Sequence, residues 1–319
     1  MSTPGWDRAD SPFHASERAI QARLGVRERL DQQGRRVIRS VLNEQHRTFF
    51  RLLPYVLVGS VDGEGQPWAS MLVGDPGFLS SPDEHTLQVA ARPLPGDPLA
   101  THLAEGAPLG VLGIELASRR RNRVNGVVGA VDADGFTLQV EQTFGNCPQY
   151  IQARTAALQP FDSAAPRPAL AVDRLGEEEM ALIAAADTFF IATAVGAEAG
   201  AAAGVDVSHR GGRPGFVAIN DTRTLTIPDY AGNHHFNTFG NLELNPRAGL
   251  LFVEFQRGDL LYLTGTAQVI WEGEEIRRHA GAERLLRFQL RQGRRVPGSL
   301  PVAWGEPAFS PFLQPLEPP

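Results

Sequence analysis

The densest polar run in the chain reads Asp206-Val207-Ser208-His209-Arg210-Gly211-Gly212 and resumes at Leu225-Thr226-Ile227-Pro228-Asp229-Tyr230-Ala231-Gly232-Asn233-His234-His235-Phe236-Asn237-Thr238. Hydroxyls, an arginine and backbone N–H groups freed by glycine are the equipment of a phosphate site. One hairpin separates the two segments, which predicts neighbouring strands and brings Ser208, Arg210, Asn233 and Thr238 together. All 30 basic residues are arginine and none is lysine. Schiff-base, Walker and pyridoxal-phosphate lysines are therefore excluded, and any phosphate must be met by arginine, hydroxyls, amides or backbone N–H groups.

Other reactive residues are sparser. In Arg119-Arg120-Arg121-Asn122-Arg123, strand alternation puts Arg119, Arg121 and Arg123 on one face, where they can meet a phosphate or form a solvated edge. His234-His235 point to opposite faces if extended, and neither a cysteine nor a third histidine lies at ligand spacing, so no metal site is expected. Cys147 has no histidine near it in sequence and reads as a small buried hydrophobe rather than a nucleophile. No catalytic acid or base can be named.

The elements that must position these residues come in two sets. Pro76-Gly77-Phe78 recurs as Pro214-Gly215-Phe216, Ser70 as Ser208 and Thr86-Leu87 as Thr224-Leu225, an offset of about 138 residues. The register then slips by one, with Asn125-Gly126 answering Thr264-Gly265. A period this long implies duplicated domains rather than a solenoid, whose repeats run to roughly 20–50 residues. The chain of 319 residues is long enough for two such cores.

Residues 15–53 carry helical spacing that Pro54 ends, and Tyr55 to Val61 begins strand. Asp-Gly and Pro-Gly turns then punctuate short strands, the chemistry of hairpins and of an antiparallel sheet closing on itself. Ala164-Ala165-Pro166-Arg167-Pro168 marks a linker, Glu177 to Asp187 a helix, and Ala197 to Gly204 an insertion in the second copy's first hairpin. The expected divisions are a helical segment 1–53, a first barrel 54–155, a linker 156–172, a second barrel 173–296 and an extended, proline-rich tail 297–319.

A net charge of −6 and a pI near 5.8 give no attraction to nucleic acid or to anionic membranes. The single cysteine excludes an intramolecular disulfide and fits a reducing, cytoplasmic setting. A polar N-terminus and the lack of a long apolar run lead us to expect a soluble, unexported chain.

Ser-His-Arg-Gly-Gly at 208–212, Pro-Gly-Phe-Val at 214–217, Leu-x-Ile-Pro-Asp at 225–229, Gly232-Asn233, Asn241-Leu242-x-x-Asn245-Pro246-Arg247-x-Gly249 and Leu263-Thr264-Gly265-Thr266-Ala267 resemble the pyridoxamine 5′-phosphate oxidase-like FMN-binding split barrels. Pro67-Trp68-Ala69-Ser70, Pro93 to Leu99, Arg119 to Gly126 and Phe144 to Ile151 are similar segments in the first copy. Together the resemblance covers roughly residues 45–275. It implies a mainly β (α+β) fold, two tandem split β-barrels with peripheral helices, and FMN held in one composite site between them.

The cofactor residues it implies are Ser208, His209, Arg210, Gly211, Asp229, Gly232, Asn233, His234 and Thr238, with Trp68, Ser70, Arg121 and Asn125 from the first copy. Trp68 and Trp271 are able to stack on a flavin ring, although aromatics in small barrels are more often core. Thr238 stands where the true oxidases place a phosphate-binding lysine, so their own activity is not implied. The implied function is an FMN-dependent oxidoreductase acting on a small molecule, reduced by NAD(P)H or a protein donor, and a homodimer is among the partners the resemblance implies. Two alternatives are a haem-binding or haem-degrading barrel, with His209, His234 or His235 as axial ligand, and a non-catalytic flavin-binding protein.

Overall fold

The computed structural model describes residues 5–160 and 167–316. Residues 161–166 of the expected linker, the first four residues of the expected helical segment and the last three of the tail lie outside the described residues. The helical N-terminal segment is three helices, α1 (Ala15–Arg23), α2 (Arg27–Val37) and α3 (Glu44–Leu52). Each start has a local cause. Glu17, at the third position of α1, accepts the backbone N–H of His14 at 2.8 Å, and Asn43 caps α3 by accepting that of His46.

The first sheet contains β1 (Tyr55–Val61), β2 (Pro67–Val73), β3 (Leu79–Ser80), β4 (Thr86–Val89), β5 (Pro108–Glu115), β6 (Arg120–Val131) and β7 (Phe136–Gly145). Then come β8 (Ala156–Leu158), β9 (Leu170–Val172), α4 (Glu177–Ala185), β10 (Thr188–Val195), β11 (Gly204–Gly211), β12 (Ala218–Ile219), β13 (Thr224–Tyr230) and α5 (Asn237–Leu244). β14 (Arg247–Val253), β15 (Leu260–Ile270), β16 (Ala282–Val296) and β17 (Val302–Trp304) complete the chain.

The first sheet runs β2-β1-β5-β6-β7-β4-β3 and the second β11-β10-β14-β15-β16-β13-β12, the same order strand for strand. Neither path returns to its first strand, so each is a split barrel in a mainly β fold. Registers match as well: Val58 faces Ser70 and Val111, and Ile191 faces Ser208 and Leu250. The ladder shifts at Asn125/Gly126 in one sheet and at Thr264/Gly265 in the other. A Cβ on Gly126 would fall 1.9 Å from the Gln139 carbonyl oxygen, and one on Gly265 2.0 Å from that of Gln289. Both bulges need glycine for the same reason, close backbone approach.

Tyr55-Val56-Leu57-Val58 and Phe189-Phe190-Ile191-Ala192 do not alternate because both faces of these strands are covered. Val56, Val58, Leu72, Val111 and Leu138 fill the first barrel. Phe189, Ile191, Leu250, Phe252 and Phe288 fill the second. Between the barrels lies a third core containing Leu57, Trp68, Met71, Leu112, Phe190, Val207, Leu251 and Tyr262. The seam is reciprocal: a Cβ on Gly110 (β5) would fall 2.3 Å from the Val205 carbonyl oxygen (β11), and one on Gly249 (β14) 2.3 Å from that of Pro67 (β2). Equivalent strands thus meet across a pseudo-two-fold axis, the form of an isologous dimer interface drawn within one chain.

Two stretches differ from expectation. The start of the expected linker is β8, which pairs with β17 in the expected tail. Leu300, Val302 and Leu313 are buried, so apolar residues between the prolines dock the tail instead of leaving it extended. Among the described residues no helix is long and apolar enough to cross a membrane.

Candidate functional site

Strand alternation in β11 turns Asp206, Ser208 and Arg210 to one side and sends Val205, Val207 and His209 toward the seam. β11 and β13 are not neighbours, contrary to the expectation from the single hairpin. They stand near opposite ends of the strand path, and the curl of the barrel brings them together instead. Thr238 Oγ1 then lies 3.3 Å from Ser208 Oγ, and Arg210 pairs with Asp229 of β13.

Between β13 and α5 the chain turns through His234 and Phe236, both left-handed at φ 60° and 64°. Such angles cost non-glycine residues of order 1–2 kcal/mol each. The loop is pinned by His235, whose ring packs on Phe13 at 5.3 Å and Phe144 at 6.0 Å. His234 and His235 are therefore not in the extended structure assumed from sequence. His235 is buried among aromatics, and burial lowers its pKa to about 4.

The first barrel supplies the opposite wall through β6 and residues 146–150. Arg123 donates to Ser208 Oγ at 2.6 Å and to Asp206 Oδ1 at 2.8 Å. Arg121 donates from Nε to the Cys147 carbonyl at 2.7 Å and meets no carboxylate among the described residues. Burial lowers its pKa to about 10, so it stays charged at neutral pH. Tyr150 closes the side, its OH donating to the Ala231 carbonyl at 3.0 Å and its ring 5.1 Å from that of Tyr230.

These walls bound an open cavity of about 130 Å³. Ser208, His209, Arg210, Gly211, Asp229, Gly232, Asn233, His234 and Thr238 all line it, with Arg121 from the first barrel. Three expected residues do not. Trp68 is buried in the seam with Nε1 donating to Asp62 at 2.8 Å. Ser70 donates to Asp97 at 2.5 Å on the other side of the pseudo-two-fold. Asn125 stands behind Arg123 and donates to Asp206. Trp271 sits outside, stacked with Arg23 and Arg284. Arg119, expected to share a face with Arg121 and Arg123, lies in the preceding turn at φ 57° and donates to the Ile151 carbonyl.

Sequence reasoning weighed Arg123 only as part of the arginine run, and did not select Arg284, Phe236, Phe239 or the Cys147 to Tyr150 segment for the site. Arg284 faces Asp229 across the β13–β16 ladder, with its Nε 3.1 Å from the carboxylate. Only the register reveals that pairing. Arg123 was visible in the arginine run, but its acid partner Asp206 is 83 residues away.

The electrostatics favour an anion. Arg121, Arg123, Arg210 and Arg284 line the cavity, and two buried carboxylates, Asp206 and Asp229, offset them. Glu283 touches Arg284 only from the outer edge, 40% exposed. A surplus of positive charge suits a phosphate monoester, which carries about −1.5 to −2 at neutral pH. Burial, with Arg121 and Arg210 nearby, holds His209 well below the usual histidine range. It is neutral, and its buried Nε2 has no hydrogen-bond partner among the described residues.

Behind the site, α1 docks on α5. Glu17 is 2% exposed and accepts from Asn237 Nδ2 at 2.6 Å. A Cβ on Gly240 would fall 2.4 Å from Glu17 Cγ, so glycine permits this approach. Burial, reinforced by Asp206, raises the Glu17 pKa to about 8.

Residues 175–299 match a family model described as pyridoxamine 5′-phosphate oxidase. No curated protein matches the chain. Three similar solved structures are an FAD-binding protein from Mesorhizobium loti (15% identity, 39% of this chain, 96% of that one, TM-score 0.28), the FAD-binding protein from Mycobacterium smegmatis (13%, 40%, 99%, 0.28) and the heme storage protein HutZ from Vibrio cholerae (20%, 40%, 96%, 0.28).

Proposed function

We propose that the protein, whose residues 175–299 match the pyridoxamine 5′-phosphate oxidase model, binds FMN in the cavity between its barrels and acts as an oxidoreductase. One observation carries this reading: Arg121 of the first barrel, a cation with no carboxylate partner among the described residues, shares a cavity with Ser208, Arg210 and Thr238 of the second.

The residues fit the phosphate end of such a ligand. The hydroxyls of Ser208 and Thr238, the guanidiniums of Arg121 and Arg210 and the amide of Asn233 would hold it. At about 130 Å³ the cavity is smaller than the ~300–1,000 Å³ of most ligand pockets. It suits the phosphate and part of the chain, and a ring must occupy the open mouth. When bound, the flavin supplies the hydride chemistry, with NAD(P)H or a protein as electron donor and a small molecule as substrate. The protein's part is to bind, orient and exclude water. Both walls belong to one chain, so each stands at a high effective concentration for the other.

A second reading, haem binding, is favoured by His209, a neutral histidine that borders the same cavity and whose buried Nε2 has no partner among the described residues. The absorption spectrum of the freshly purified protein separates the two. A flavin double band that bleaches with NAD(P)H supports the oxidoreductase, and one that does not bleach supports a carrier or a protein donor. A Soret band lost in His209→Ala supports haem. Neither band, and no uptake of added FMN, overturns both.

A further inference from the structure

Helix α1 lies outside both barrels, yet one of its side chains is joined to the arginine-lined cavity by an unbroken run of hydrogen bonds. Glu17 Oε1 accepts from Asn237 Nδ2 at 2.6 Å, and Asn237 Oδ1 accepts from Arg123 Nη1 at 3.3 Å. Arg123 Nη2 donates in turn to Ser208 Oγ at 2.6 Å. Asn237, Arg123 and Ser208 border the cavity, and Glu17 stands behind them. By taking the amide N–H of Asn237, Glu17 turns the amide oxygen toward Arg123.

The charges along this run favour a neutral Glu17. Arg123 already meets a carboxylate, Asp206, at 2.8 Å. Among the described residues the one basic side chain within 4 Å of the Glu17 carboxyl is His14, whose Nε2 lies 3.5 Å away and also bonds to Asn241 Oδ1. The neighbouring helices add no cation: on α5, Glu243 is turned to Trp271, and on α2, Asp31 is held by Arg27 and Arg35. An ionised Glu17 would be a second buried carboxylate behind Arg123, facing an incoming phosphate of about −1.5 to −2. Like charges confined away from water disfavour one another's ionisation.

We propose that Glu17 is a positioning residue of the anion site, which holds Arg123 in place through Asn237 and keeps a proton while a phosphate is bound. The proposal rests on the reading that the cavity takes a phosphate-bearing ligand. Burial, reinforced by Asp206, puts the Glu17 pKa at about 8 in the empty site, and a bound dianion raises it further. Binding near pH 8 therefore takes up a proton, and by reciprocity affinity falls as pH rises through this range.

Titration calorimetry on the full chain with FMN, and in parallel with ribose 5-phosphate, tests this between pH 7 and 9, where Arg121 keeps most of its charge. Wild-type affinity for either ligand is expected to fall by about three- to tenfold across the range, the scale of one screened charge at second remove. Buffers of different ionisation enthalpy should report proton uptake near pH 8. Glu17→Gln keeps an acceptor for Asn237 without the charge, so it should bind at pH 9 as it does at pH 7. Glu17→Leu, which lacks the acceptor, should bind more weakly at every pH, with a flat profile. Cys147→Ala, which removes the thiol bordering the cavity, should keep the wild-type fall. A flat wild-type profile, a fall that survives Glu17→Gln or vanishes in Cys147→Ala, or full affinity in Glu17→Leu would each overturn the proposal. Ribose 5-phosphate bound with the expected profile while FMN is not bound would support it and remove the flavin reading; binding of neither overturns both.

Discussion

Arg123 and Tyr262 hold equivalent places in the two sheets and do opposite things. Arg123 faces Leu112 across the β5–β6 ladder, and Tyr262 faces Leu251 across β14–β15. Arg123 grips Ser208 and Asp206 at the edge of the arginine-lined cavity. The Tyr262 hydroxyl reaches Asp97 at 3.3 Å, and Asp97 accepts from Ser70, the counterpart of Ser208. The mirror-image position is thus filled by a buried tyrosine and a carboxyl, where the first has cations and space.

One flavin per chain is the expected stoichiometry. Quantifying released flavin against protein checks this, and two per chain would mean that the Asp97 network opens. Asp97→Ala should leave the stoichiometry unchanged.

Arg121→Ala should weaken FMN binding by roughly ten- to a hundredfold, as for a charged hydrogen bond. Its melting temperature should change little, because no carboxylate loses a partner. Arg123→Ala should behave differently, costing about 3–5 kcal/mol of stability because Asp206 is left buried without its cation. Flavin fluorescence titrations alongside thermal melts distinguish the two roles.

Glu17 makes stability depend on pH in the sense opposite to most carboxylates. Its folded-state pKa is about 8, against an ordinary glutamate value of 4.5. The folded protein therefore keeps a proton that the unfolded chain releases between these values. The contribution of this group is fully present below about pH 4.5 and is lost as pH rises toward 8, by up to ~1.4 kcal/mol per pH unit. Glu17→Gln removes that term, so its stability relative to wild type should climb from pH 5 to pH 8 and then level off. Urea melts across that range check this; a parallel pair of curves would mean that Glu17 is ionised throughout.

Gly110→Ala should destabilise the seam by about 1–3 kcal/mol, the usual range for overpacking, because the added Cβ meets backbone at 2.3 Å. Gly232→Ala is the control: its Cβ has no neighbour closer than 3.9 Å. Equal melting temperatures for the two variants would contradict the close approach.

Much of the fold was legible because turns and bulges leave local marks. Pro76-Gly77 and Pro214-Gly215, or Gly126 and Gly265, repeat wherever the backbone must do the same thing twice. The lining of the arginine-rich cavity was legible on the β11 and β13 side, where polar residues interrupt an apolar sheet. Arg284 and Glu17 were not, since each acts through a partner far away in sequence. Trp68, Ser70 and Asn125 lie outside that lining for another reason. A repeat shows which residues correspond, but not on which side of a pseudo-two-fold axis the cavity is kept.

The reciprocal seam has one more consequence. In a symmetric homodimer every substitution is made twice, so an arginine that improves one cavity is imposed on its twin. Here the two surfaces are written at separate places in the chain, and each is free to change alone. Arg123 on one side and Tyr262 on the other is a pairing that no single repeated subunit can present, and it lets one half of the molecule give up ligand binding and become the other's scaffold.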